Sequence, residues 1–210
     1  VLRENPLKIT ADSFIGLQGL NSLDLSYNNI PILNNDTFRD TINLRHLRLE
    51  HCKLQRLDDE IFHGLHDISI YLSNNPLEKL PTSLADVPNL SLVLNSLEII
   101  PKNLEAESFS LDNLRSLALR DNGITNIAPN AFLGSDHLQN LDLGENQLTK
   151  ILPGTFNGLG ELQSLNLGQN RIYRMHNTSF ARLNALERLS LSENKISQLP
   201  QGIFNGLAHL

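Results

Sequence analysis

The sequence predicts a solenoid: a curved coil with one parallel β-sheet of about eight short strands on its concave face and irregular arms on its convex face. Three observations predict it. Leucines recur at a fixed short spacing that ends on an asparagine. The cleanest copies are Leu138-x-x-Leu141-x-Leu143-x-x-Asn146-x-Leu148, Leu162-x-x-Leu165-x-Leu167-x-x-Asn170-x-Ile172 and Leu186-x-x-Leu189-x-Leu191-x-x-Asn194-x-Ile196, set 24 residues apart. Phenylalanine keeps the same interval at Phe132, Phe156, Phe180 and Phe204, and earlier at Phe14, Phe38 and Phe62. A period in the range of roughly 20–29 residues marks one supersecondary unit per repeat, which buries its apolar face only against its neighbours.

Within each copy the Leu-x-Leu centre reads as a short strand whose leucines point inward while the intervening residues point out. Eight such strands are expected, centred on Asp24, Arg48, Tyr71, Val93, Ala118, Asp142, Asn166 and Ser190. Parallel strands need a crossover, and the rest of each repeat supplies it as the convex arm. The asparagine closes the turn after the strand, where an amide both donates and accepts hydrogen bonds to inward-facing backbone groups. Asn28, Asn75, Asn122, Asn146, Asn170 and Asn194 are therefore expected to stack as an interior ladder. Cys52 holds the equivalent slot in Leu44-x-x-Leu47-x-Leu49-x-x-Cys52. A small, weakly hydrogen-bonding side chain fits there, so Cys52 reads as structural, with a reactive or metal-binding thiol as the alternative. The phenylalanines, one per turn and all in phase, read as a core spine and not as a ligand cage. Burying each stabilises by roughly 1.5–3 kcal/mol before entropy is counted.

The whole chain, 1–210, is read as one domain without terminal caps, with an irregular stretch at 67–112. Ile68-Ser69-Ile70-Tyr71-Leu72 is one residue short of the pattern, and the run from Leu90 to Leu97 is three short, so that Asn95 directly follows its strand. The arm from Leu104 to Leu114 is correspondingly long. Leu80-Pro81 and Ile100-Pro101 stand where phenylalanine is due, and Phe109 returns one residue out of phase. Either the coil is locally distorted there or residues are missing from the stretch.

Composition narrows the functional classes. The chain has 210 residues, 40% hydrophobic and 19% charged, with a net charge of −6 and no basic cluster. Nucleic acid and anionic membranes are thus not the expected partners. Apolar runs fall far short of the roughly 18 residues that span a bilayer, so no direct membrane insertion is expected. One cysteine excludes an internal disulfide framework. The chain starts and stops inside the repeat pattern without a signal peptide, which reads as a piece of something longer. Three sequons, at Asn35, Asn89 and Asn177, make those residues candidate glycosylation sites, although an asparagine-rich chain also generates such triplets by chance.

The exposed side of the sheet is the natural binding face, a regular grid of outward side chains. Its first half offers Tyr27, His46, Arg48, Glu50, His51 and Tyr71, residue types that anchor protein interfaces. Its second half is small and acidic, with Gly144 and Gly168 expected to let a partner come close, and Arg120 and Asp142 as further candidates. Ser26 and Ser73 also count as outward. The alternative is that all of these are ordinary solvated strand residues. Other chemistry is thin: His63-Gly64-Leu65-His66 lacks further ligands, so no metal is expected. Glu50-His51-Cys52 sets a base beside a nucleophile, yet adjacent strand residues face opposite ways. No phosphate loop, serine elbow or paired acids appear, so neither a cofactor nor catalysis is expected.

Turns such as Asn122-Gly-Ile-Thr-Asn-Ile-Ala-Pro-Asn-Ala-Phe132 and Asn194-Lys-Ile-Ser-Gln-Leu-Pro-Gln-Gly-Ile-Phe204 resemble the leucine-rich repeats of the extracellular, typical class, found in Toll-type receptors, Slit-type guidance proteins and chaoptin-like adhesion proteins. The resemblance covers essentially the whole chain. It implies a leucine-rich repeat solenoid and a secreted or membrane-tethered, non-catalytic scaffold that recognises a protein in immunity or development. A structural subunit that holds another secreted protein, such as an enzyme, is the first alternative. An intracellular repeat scaffold is the second. A homo- or hetero-oligomer is compatible with each.

Overall fold

The structure, a computed structural model, describes residues 1–77, 87–91, 95, 99–100 and 113–210. Its organising element is an eight-stranded, all-parallel sheet in chain order. The strands are Ser22–Asp24, His46–Arg48, Ser69–Tyr71, Asn89–Ser91, Ser116–Ala118, Asn140–Asp142, Ser164–Asn166 and Arg188–Ser190. In each strand the central apolar residue turns into the core: Leu23, Leu47, Ile70, Leu90, Leu117, Leu141 and Leu165 are buried. Leu189, on the eighth strand, is half-buried.

Seven strands end on the residue expected at their centre: Asp24, Arg48, Tyr71, Ala118, Asp142, Asn166 and Ser190. The fourth is Asn89–Ser91, earlier than the expected centre at Val93, which lies outside the described residues. The register explains the early fourth strand. Ser22 pairs with His46 at the regular 24-residue step, but His46 pairs with Ser69, Ser69 with Asn89, and Asn89 with Ser116. The sheet thus takes one short step of 20 residues and then one long crossover. Strand pairing continues through the irregular stretch because inter-strand spacing depends on the backbone ladder and not on crossover length. Most of the long crossover, Phe109 included, lies outside the described residues.

The asparagines form the expected ladder. Asn146 Oδ1 accepts the N–H groups of Asn122 and Ile124 one coil earlier. Its Nδ2 donates to the carbonyls of Leu119 and Leu143, so a single amide ties two coils together. Asn75, Asn170 and Asn194 repeat the arrangement. Cys52 keeps half of it: Sγ donates to the Leu25 carbonyl at 3.2 Å, while the N–H of Ile30 turns to the backbone carbonyl of Cys52. Asn95 also belongs, accepting from Leu77 N–H and donating to the Leu72 carbonyl. At the other end Asn28 Oδ1 accepts from Asn5 N–H, and Leu2 N–H donates to the Asp24 carbonyl. Residues 2–5 therefore lie along the first strand as part of a further coil.

Eight residues that immediately precede a ladder position have a left-handed backbone: Glu4, Tyr27, His51, Asn74, Asp121, Glu145, Gln169 and Glu193 all have φ between 53° and 60°. That conformation costs a non-glycine residue roughly 1–2 kcal/mol. The ladder bonds on either side hold it in place.

On the convex side the phenylalanines stack as expected. Phe132, Phe156 and Phe180 follow one another with centroids 6.4 and 5.9 Å apart, and Phe14 stacks on Phe38 at 5.9 Å. Phe204, on the last turn, is 39% exposed. The arms are more ordered than expected. Short parallel pairs join Ile32–Leu33 to Arg56–Leu57, Ile99–Ile100 to Asn126–Ile127, and Lys150–Ile151 to Arg174–Met175. Asn35–Phe38 forms a 3-10 turn. Among the described residues no helix is long and apolar enough to cross a membrane.

Candidate binding face

The outward side chains of the sheet fall into two groups. In the first half the Tyr27 ring lies on the His51 imidazole, centroids 4.4 Å apart and planes 18° from parallel. The Arg3 guanidinium sits 4.8 Å from the Tyr27 centroid and reaches the Asp24 carboxylate at 3.7 Å. Alongside, Arg48 lies 4.4 Å over the Tyr71 ring and 3.3 Å from Glu50 Oε2. His46 is exposed, in register between Ser22 and Ser69. An exposed cation over an aromatic face contributes about 0.5–1 kcal/mol. These contacts hold the rings and guanidinium groups in place while leaving Tyr27 46% exposed. Asp24 shows the local balance. Burial pushes its carboxyl up, but the N–H and hydroxyl of Ser26, with Arg3 and Arg48, outweigh burial and hold it below the ordinary carboxylate value.

The second half is closed on itself. Asp142 Oδ1 accepts from the Gly144 N–H at 2.9 Å and from Asn166 Nδ2 at 2.8 Å, and Asn166 Oδ1 accepts from the Gly168 N–H at 2.9 Å. Arg120 pairs with Glu145 and reaches Gln169, whose amide donates to Glu193. A shallow cavity of about 160 Å³ opens between Ala118, Asn140, Asp142 and Asn166.

The structure thus places Tyr27 with His51, and Arg48 with Glu50 and Tyr71. Arg120 and Asp142 belong to the other group. Arg3 was missed; it precedes the first complete repeat, although Leu2-x-x-Asn5-x-Leu7 carries half of the motif. Two expectations need correction. Ser26 and Ser73 are buried, at 1% and 7% exposure, because each lies beneath the turn into the ladder. Gly144 and Gly168 do not open the face to a partner. A Cβ on Gly144 would stand 2.7 Å from Asn166 Nδ2, and one on Gly168 2.9 Å from Ser192 Oγ, so the next coil already fills that space.

Glu50-His51-Cys52 is not a nucleophile with its base. His51 faces out onto Tyr27, whereas Cys52 is fully buried, and burial pushes its thiol up to about 11. Among the described residues no group of three or more His, Cys, Asp or Glu side chains is placed to hold a metal. Of the sequon residues, Asn35 and Asn177 are exposed on the arms. Asn89 is exposed at the start of the fourth strand, with Nδ2 donating to Ser69 Oγ at 3.1 Å.

Known proteins share this architecture. A family model described as "Leucine rich repeat" matches residues 2–54, 112–172 and 160–210. Human Toll-like receptor 3 is 31% identical over 139 residues, which is 63% of this chain and 14% of that protein. Chicken Tsukushi is 34% identical over 138 residues, 61% of this chain and 36% of that protein. The chain thus spans well under half the length of either relative. Among solved structures, the TLR13 chain of a TLR13–ssRNA13 complex superposes with a TM-score of 0.83 at 30% identity, covering 95% of this chain and 29% of that one. A chain of the Drosophila Toll–Spatzle complex gives 0.81 at 25% identity, covering 91% and 26%. One of these neighbours was solved with RNA and the other with Spatzle. The expectation that nucleic acid is excluded as a partner draws no support from them.

Proposed function

The chain belongs to the leucine-rich repeat family, and on that premise we propose that it is an extracellular, non-catalytic scaffold that recognises a protein through the first half of its concave sheet. The observation that carries this reading is the held cluster of exposed Tyr27, His51 and Arg48 with half-buried Tyr71. Tyrosine and arginine dominate binding hot spots because each offers a large contact area with directional polar groups. Stacking fixes their rotamers before a partner arrives, which lowers the entropic cost of association. His46 and Glu50 border the cluster. Arg120 and Asp142 contribute less, since their polar groups are already engaged across coils. The Toll–Spatzle neighbour supports a protein partner.

An extracellular setting fits the sequons, and we place glycans at Asn35, Asn89 and Asn177. One at Asn89 stands on the concave face and limits a partner to one side of it. Glycopeptide mass spectrometry of the secreted chain reads this directly, and three bare asparagines speak against secretion. The partner reading is tested on a complex isolated with the native protein. Arg48→Glu combined with His46→Ala is expected to weaken it by at least tenfold, about 1.4 kcal/mol, without lowering the melting temperature. Unchanged affinity removes the patch.

A further inference from the structure

Charge on the arms is segregated in a way the concave face does not use. Between ladder asparagine and spine phenylalanine, the arms at 122–132, 146–156, 170–180 and 194–204 contain no Asp or Glu. They carry Lys150, Arg171, Arg174, His176 and Lys195. The first two arms differ: 28–38 contains Asp36, and 52–62 contains Asp58, Asp59 and Glu60. In a chain of net charge −6, the flank of the last coils is therefore purely basic. The expectation of no basic cluster is true along the sequence and untrue in space.

Strand pairing gathers these residues. Lys150 and Arg174 are direct partners across adjacent coils, with backbones about 4.8 Å apart. The Arg171 N–H donates to the Leu148 carbonyl and the Lys195 N–H to the Ile172 carbonyl, which sets a second basic row beside the first. All four side chains are exposed, and none forms an ion pair among the described residues. The nearby acids Glu145 and Glu193 sit on the strand-end column, bonded to Arg120 and Gln169. A groove of about 590 Å³ runs beside the rows, lined by Lys150, Arg174, His176, Asn177, Pro200 and Gln201. Exposed like charges at this spacing repel one another unless an anion neutralises them.

We propose that this flank binds a linear sulfated polysaccharide. Two parallel rows of exposed cations on a fixed backbone match a polymer that carries an anionic group on successive sugars. The amide of Gln201 in the groove offers partners for sugar hydroxyls. Single-stranded nucleic acid is the poorer fit, because successive bases need successive aromatic platforms and the exposed rings here, Tyr173, His176 and Phe204, leave the arm at 146–156 without one. The site lies apart from the concave cluster, and either can fail without the other.

The test uses the secreted chain carrying Asn177→Gln, so that no glycan borders the groove, and measures binding to size-defined heparin oligosaccharides. Binding is expected to weaken as salt rises. Lys150→Gln with Arg174→Gln, or Arg171→Gln with Lys195→Gln, should each weaken it by roughly tenfold or more through lost ion pairing, while Arg48→Gln on the sheet leaves it unchanged. De-N-sulfated heparin, polyuridylate and polyglutamate should bind more weakly at the same ionic strength. The proposal is overturned by no heparin binding, by equal or tighter binding of polyuridylate or polyglutamate, or by a larger loss from Arg48→Gln than from the flank variants.

Discussion

The two halves of the concave sheet share a backbone and differ in what their side chains do with each other. In the first half Arg3, Tyr27 and His51 touch in series, and Arg48 lies over Tyr71, so that rings and cations face outward. In the second half Asp142, Asn166, Arg120 and Glu145 satisfy one another and the glycine N–H groups. The core follows the same division. The later coils carry asparagine at every ladder position, whereas an early coil substitutes Cys52. The lesson is that one scaffold turns a face toward a partner or toward itself through the outward residues alone.

The largest expected effect sharpens the comparison at the spine. Phe156 has a ring stacked on each side and Phe38 on one. Truncating either to alanine should cost about 3–5 kcal/mol, with Phe156→Ala the costlier in urea unfolding. Equal losses would mean that flanking rings add nothing beyond burial. Next comes the ladder. Asn146→Ala leaves the N–H groups of Asn122 and Ile124 without their acceptor and should destabilise by roughly 1–3 kcal/mol. Cys52→Ala should cost less, because the Ile30 N–H is already served by backbone.

Cys52 breaks the comparison chemically. Its thiol, raised by burial from 9.0 to about 11, stays protonated in the folded chain. Iodoacetamide at pH 8 should label it slowly in native protein and fully in denaturant. For an acid whose folded value is raised, the stabilisation is complete below the unfolded value. It is therefore lost as pH climbs from 9.0 through about 11. The smallest effects are expected at the surface pairs. Arg120→Ala and Arg48→Ala should each shift stability by about 0–1 kcal/mol, read as melting temperature, even though only Arg48 is expected to matter for a partner.

The fold was legible because burial and period are tied together. Leu141, Leu143, Asn146 and Phe156 announce strand, turn and spine wherever the 24-residue beat is intact. The beat fails near Leu90, and there the strand arrives early, since register follows hydrogen bonding and tolerates a short crossover. Asn95 joined the ladder despite its spacing for the same reason. The candidate site was legible only in part. Tyr27, His51, Arg48 and Tyr71 could be named from strand alternation, but their pairing across coils is a lateral fact that a linear pattern does not encode. Arg3 hid in an incomplete repeat. The flank of Lys150, Arg171, Arg174 and Lys195 escaped because its members are scattered in sequence and meet only when coils stack.

The column of left-handed residues has a consequence for how such a chain diversifies. Glu4, Tyr27, His51, Asn74, Asp121, Glu145, Gln169 and Glu193 share one backbone shape while spanning acid, amide, imidazole and phenol. Their neighbours impose that shape, so the identity of each is free to drift without refolding the molecule. The column behaves as a rack of exchangeable tools on a fixed rail, where new specificities arise by swapping a side chain and leaving the chain path untouched.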